Sequence, residues 1–151
     1  MRLESKESAF GRDINSESDF FGVLRSKTYG TIYMERIEPS NESGFPDVYF
    51  VSERKWEGTM ELKHCKKAAR PNLAGPMVRG TQKTALIEYY EAGGRRRWFA
   101  CFVKPHYVWL YDSRRAMESI LRRESEGPVV IDMSQRDFTS RLTEELRKDS
   151  A

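Results

Sequence analysis

Cysteine is almost missing from this chain: Cys65 and Cys101 are the two among 151 residues. That scarcity excludes a disulfide scaffold, and their wide separation excludes a short metal-binding pair, so both read as free thiols. Histidine is as rare. His64 and His106 have no second His or Cys at ligand spacing, which argues against a structural zinc site. No apolar run approaches the roughly 18 residues of a membrane span, and the opening Met-Arg-Leu-Glu-Ser-Lys-Glu lacks the apolar stretch of a signal peptide. The expectation is a cytoplasmic protein with no membrane partner.

What is present is a folding sequence. Hydrophobic residues make up 38% and charged residues 32%, with three Trp, seven Tyr and eight Phe, enough to bury one substantial core. Residues 1–15 mix charge and Ser without a period and read as a flexible arm; residues 16–151 read as a single domain. Net charge is +3 but unevenly spread: residues 1–50 hold 6 basic and 9 acidic side chains, residues 51–100 hold 11 and 5, and residues 101–151 hold 9 and 9. The middle third therefore offers a face for an anionic partner.

Along the chain, Ser16 and Asp19 have the spacing of a capping box. The helix they open puts Glu17, Phe20, Phe21 and Leu24 on one stripe, and an acid in apolar company needs a partner or a metal. Thr31 to Glu38 alternates as a half-buried strand until Pro39 to Gly44 breaks it. Asp47 to Val51 and Trp56 to Lys63 follow as two strands; a hairpin centred near Arg54 sets Asp47 opposite Glu61 and gathers Val48, Phe50, Met60 and Leu62 on one face. Residues 64–80 carry two prolines and two glycines, which oppose a continuous helix. Gln82 to Ala92 reads as a helix stopped by Gly93-Gly94. Strands are expected at Trp98 to Val103, Tyr107 to Tyr111 and Val129 to Ile131. Helices are expected at Ser113 to Glu124 and, capped by Ser134, around Phe138, Leu142 and Leu146. The order predicts an α/β chain of the mixed α+β kind, with a central mixed sheet flanked by helices.

The chemistry concentrates in the hairpin. Glu61 and Lys63 lie two apart on a strand and share a face, about 6.6 Å apart along it, and Asp47 adds a second carboxylate at roughly 5 Å between backbone positions. Two oxygen ligands that close suit Mg²⁺ or Mn²⁺, which keep waters and accept substrate phosphate as a ligand. A phosphodiester repels hydroxide; a metal neutralises its charge and activates water, while Lys63 holds the attacking water or the developing negative oxygens. The alternative is a solvated ion network on a strand face, in a non-catalytic nucleic-acid-binding or structural module.

Gly44-Phe-Pro-Asp47, Met60-Glu-Leu-Lys63, Gln82 and the Gly93-Gly94 turn before Trp98 to Val103 together resemble the PD-(D/E)xK nuclease superfamily, and within it the virus-type replication-repair nuclease (VRR-NUC) branch. The resemblance implies a restriction-endonuclease-like core and a metal held by Asp47, Glu61 and the main-chain carbonyl of Leu62. It further implies Lys63 as catalytic lysine, Gln82 as an auxiliary active-site residue and Glu17 as the acid from the first helix. The implied activity is metal-dependent cleavage of nucleic acid, DNA ahead of RNA, including branched repair or recombination intermediates. It also implies a viral or phage source, whose host cytoplasm would be the setting. A homodimer would set two symmetric sites on such a substrate, though no sequence feature requires one.

Lys66, Lys67, Arg70, Arg79 and Lys83 follow the motif closely and are candidates for contacts to the nucleic-acid backbone. Arg95-Arg-Arg97 reads as a turn, with a solubilising role nearly as well supported as a binding one. His64 points away from Lys63 on an ideal strand. Tyr89, Tyr90, Trp98 and Trp109 read mostly as core.

Overall fold

The computed structural model describes residues 14–37, 46–65, 70–123 and 126–148. In chain order it runs through helix α1 (Glu17–Lys27), strands β1 (Ile32–Arg36), β2 (Val48–Ser52) and β3 (Trp56–His64), and helix α2 (Gly80–Glu91). Strands β4 (Arg97–Val103) and β5 (Tyr107–Tyr111), helix α3 (Ser113–Ile120), strand β6 (Val129–Asp132) and helix α4 (Phe138–Leu146) complete it. The strands form one six-stranded sheet in which each lies beside its neighbours in sequence. Every pairing is antiparallel except β3 with β4, which run parallel with α2 in the crossover between them. The expected mixed sheet flanked by helices is thus the architecture found.

Two apolar layers hold the helices to the sheet. On one face Phe20 and Leu24 of α1, and Phe138, Leu142 and Leu146 of α4, pack on Met34, Val48, Phe50, Met60, Leu62, Trp98 and Phe102. On the other, Leu86 of α2 and Met117 and Ile120 of α3 pack on Phe99, Cys101 and Tyr111. Strand β4 is therefore buried on both faces, which is why its sequence is a continuous apolar run. Gly58 has a packing reason: a Cβ there would come within 2.7 Å of the Arg96 carbonyl and 2.8 Å of the Phe50 ring, so only glycine lets Phe50 lie across it against Trp98.

The hairpin register is the expected one. Val48 lies opposite Met60 and Ser52 opposite Trp56, and one further step sets Asp47 across from Glu61. Its connecting turn carries two residues with positive φ, Glu53 at 55° and Arg54 at 64°, closed by Lys55 N–H donating to the Ser52 carbonyl at 3.1 Å.

Several boundaries differ from expectation. Ser16 caps α1 by accepting the Asp19 N–H at 3.0 Å, but the Asp19 carboxylate takes the Asn15 N–H instead of closing the box on Ser16. Of the arm expected over 1–15, residues 1–13 lie outside the described residues, and Ile14 is a fully buried member of the core. Helix α2 starts at Gly80, so Gln82 stands at its third position, and α3 stops at Ile120, before a left-handed Arg122 with φ of 57°. The last helix starts at Phe138 behind Asp137; Ser134 is occupied elsewhere, its hydroxyl donating to Asp132 at 2.7 Å. The break expected at Pro39 to Gly44 lies outside the described residues.

Candidate active site

Strand β3 carries the polar cluster on the face away from Met60 and Leu62. Glu61 is 3% exposed and Lys63 7% exposed, so two ionisable groups lie beneath the surface, where they require partners. The partner is Gln82, itself buried at the start of α2. Its side-chain N–H donates to Glu61 Oε2 at 2.6 Å, and its amide oxygen accepts the Lys63 ammonium at 3.0 Å. That oxygen also accepts the Arg79 N–H at 3.0 Å, anchoring the amide to the helix N-terminus. Lysine only donates, so this pattern defines which way the amide faces. Lys63 Nζ also lies 3.8 Å from Glu61 Oε2.

Asp47, at the head of β2, accepts the Leu62 N–H through Oδ2 at 2.9 Å, and its carboxyl is hydrogen-bonded to that of Glu61. Two carboxyls in contact must share a proton or a cation. Burial, then the hydrogen bond to Asp47 and the Asp47 charge, push the Glu61 carboxyl up to about 9, against the opposing pull of Lys63. In metal-free protein Glu61 therefore carries a proton at neutral pH. Replacing that proton by a divalent cation would give a site with excess positive charge, suited to a phosphodiester.

Glu17 of α1 is half-buried and feels both Lys63 and Asp47; burial raises its carboxyl above the ordinary value, Lys63 draws it down and Asp47 adds to the rise. Among the described residues, no three His, Cys, Asp or Glu side chains gather closely enough to hold a metal between them. The donor set that fits a hard cation here is accordingly two side-chain carboxylates completed by main-chain oxygen and water, an arrangement Mg²⁺ tolerates well.

The basic candidates divide. Lys66 and Lys67 lie outside the described residues. Arg70 is exposed, with its guanidinium 5.9 Å from the Trp109 ring, and Arg79 is exposed at the start of α2. Lys83 donates to the Ala74 carbonyl at 2.8 Å, so it braces the loop beneath it. His64, on the opposite face from Lys63 as expected, meets the Ile14 carbonyl at 3.0 Å and stacks on Phe102.

The arginine run 95–97 is not the loose solubilising cluster that a turn would hold. Arg96 donates to the carbonyls of Glu57 at 2.6 Å and Leu146 at 2.5 Å and lies over Trp98 at 4.8 Å, tying the end of α4 to the sheet. Arg97 belongs to β4 and shares the face of Glu61. Reading the run as a turn hid it; moving the strand start back by one residue would have exposed its parity with Phe99.

No family model and no curated protein matches the sequence. A solved structure of a Holliday junction resolvase, Hjc from the archaeal hyperthermophile Archaeoglobus fulgidus, aligns with a TM-score of 0.51 at 13% identity, covering 85% of this chain and 98% of that one. The fold is restriction-endonuclease-like. This likeness agrees with the restriction-endonuclease-like core expected from the sequence, and it does not single out the virus-type branch. No helix among the described residues is long and apolar enough to cross a membrane.

Proposed function

We propose that this restriction-endonuclease-like chain is a Mg²⁺- or Mn²⁺-dependent nuclease that hydrolyses phosphodiester bonds in DNA. The observation that carries this reading is the contact between the Asp47 and Glu61 carboxyls beside the buried Lys63 ammonium. Asp47, Glu61 and the Leu62 carbonyl would hold the metal, with Glu17 as an outlying acid. The metal would supply charge neutralisation at the phosphate and a water of lowered pKa. Lys63, aimed by Gln82, stabilises negative charge on the phosphoryl oxygens as they develop. The likeness to a resolvase supports branched DNA as the substrate class, and a homodimer would fit it. The motif residues support the VRR-NUC branch in particular. Purified protein should cut flapped or four-way DNA with Mn²⁺ and lose this in Glu61→Ala and Lys63→Ala; retained cleavage in both variants defeats the reading.

A second reading, a nucleic-acid-binding module without turnover, is favoured by the lack of a third side-chain ligand among the described residues. Calorimetry with Mn²⁺ discriminates: a binding site that disappears in Asp47→Ala counts against this alternative.

A further inference from the structure

Arg97 opens β4 opposite Thr59 of β3, two positions before Phe99, which lies opposite Glu61. Side chains two apart on a strand share a face, so Arg97 and Glu61 leave the sheet on the same side, on adjacent strands, with backbones roughly 8 Å apart on the diagonal. The guanidinium lies within electrostatic reach of the Glu61 carboxyl. Ser113 holds the Arg97 backbone from both sides: Arg97 N–H donates to Ser113 Oγ at 3.0 Å, and Ser113 O–H donates to the Arg97 carbonyl at 2.6 Å. The guanidinium lies 4.5 Å from the centre of the Tyr89 ring, and that ring is itself fixed, because Tyr89 Oη accepts the Arg96 N–H at 2.8 Å.

For all this positioning, the guanidinium is unmatched. Arg96 is spent on main-chain carbonyls, Arg114 and Arg115 on Glu126, and Arg147 on Glu53. Among the described residues no hydrogen bond or ion pair reaches the Arg97 guanidinium, and its Nε is buried without an acceptor. Burial works against the charge of this group, yet arginine does not surrender its proton in proteins. A half-buried cation with open donors, stiffened by an aromatic ring, is half of an ion pair whose other half comes from outside the chain. A phosphodiester presents two oxygens that match the guanidinium fork.

We infer that Arg97 binds a backbone phosphate beside the scissile one, holding the nucleic-acid strand against the Glu61–Lys63 site. This rests on the nuclease reading above and adds to it a residue that grips substrate. The test uses the full chain, a fluorescein-labelled DNA duplex and a salt series in EDTA, with Arg97→Gln, Arg97→Lys and Glu61→Gln. Arg97→Gln should weaken binding roughly tenfold and lower the slope of log affinity against log salt by about one, and Arg97→Lys should keep the slope while losing part of the affinity. A structural role alone would move the melting temperature and leave the slope intact. Should Arg97→Gln fail to fold, Arg97→Lys carries the test, with unchanged affinity overturning the inference. Unchanged affinity and slope in Arg97→Gln overturn it too, as does failure of the unmodified chain to bind the duplex at low salt. Cleavage with Mn²⁺ by Glu61→Gln judges the nuclease reading separately: full activity there defeats that reading, while the salt slope still decides Arg97.

Discussion

Gln82 and Glu61 are joined by a 2.6 Å hydrogen bond in which the amide donates to the carboxyl. The same amide takes the Lys63 ammonium on its oxygen at 3.0 Å, so one neutral side chain sets the distance between an acid and a base. Removing it strands both. Gln82→Ala should cost about 1–3 kcal/mol of stability, the penalty for buried polar groups left unpaired, and should lower single-turnover cleavage by roughly ten- to a hundredfold. Urea unfolding and quenched-flow cleavage check the two effects; full activity would show that Lys63 does not depend on the amide.

Metal-free protein should lose stability as pH rises. An unfolded chain ionises Glu61 near 4.5, whereas the folded one ionises it at about 9, so between those values the native state keeps a proton that the unfolded state has shed. The contribution is fully present below 4.5 and is lost progressively up to the folded value, with a slope of at most about 1.4 kcal/mol per pH unit. Glu61→Gln, whose amide can accept from Gln82 and donate to Asp47, should flatten this slope. Melting temperatures from pH 5 to 9 in EDTA would reveal it, and parallel curves for the two proteins would contradict it.

Mn²⁺ binding should release a proton. Near pH 7.5 the cation must displace the one Glu61 carries, so affinity should rise up to about tenfold per pH unit until the carboxyl ionises by itself. Calorimetry in two buffers of different ionisation enthalpy reads the release directly. Identical heats in both would mean that Glu61 is already ionised or that the metal sits elsewhere.

The turn between β2 and β3 holds a removable strain. Arg54 has φ of 64° and an exposed side chain, and left-handed backbone costs a non-glycine residue roughly 1–2 kcal/mol. Arg54→Gly should therefore stabilise the protein by about 1 kcal/mol, an amount reduced by the greater freedom of glycine in the unfolded chain. Glu53 is the wrong place for the same change, since its carboxylate pairs with Arg147 at 2.7 Å. Equal denaturation midpoints would refute the claim.

Much of this was legible because the signals were local. The hairpin register followed from apolar alternation and a short turn: parity gathers Val48, Phe50, Met60 and Leu62 on one face, and a turn centred near Arg54 then brings Asp47 to Glu61. Gln82 was legible as a polar residue on an apolar stripe. Harder to see were features fixed by contacts distant in sequence. Helix α4 begins at Phe138 because Asp132 captures Ser134, and Arg96 is structural because α4 ends beside it, neither of which periodicity reports. Arg97 was hidden because its meaning depends on a strand boundary one residue away and on a tyrosine from α2.

The two faces of β3 leave the 53–55 connection with little freedom in length. A strand offset by one residue turns every side chain over, so a single-residue insertion there would send Asp47 toward the greasy layer and Val48 toward water; a two-residue insertion preserves parity. Of such a pair of insertion mutants, the odd one should fail to fold or lose the acid pair, and the even one should keep it. This surface loop, ordinarily the place where proteins tolerate indels, is here a counted spacer.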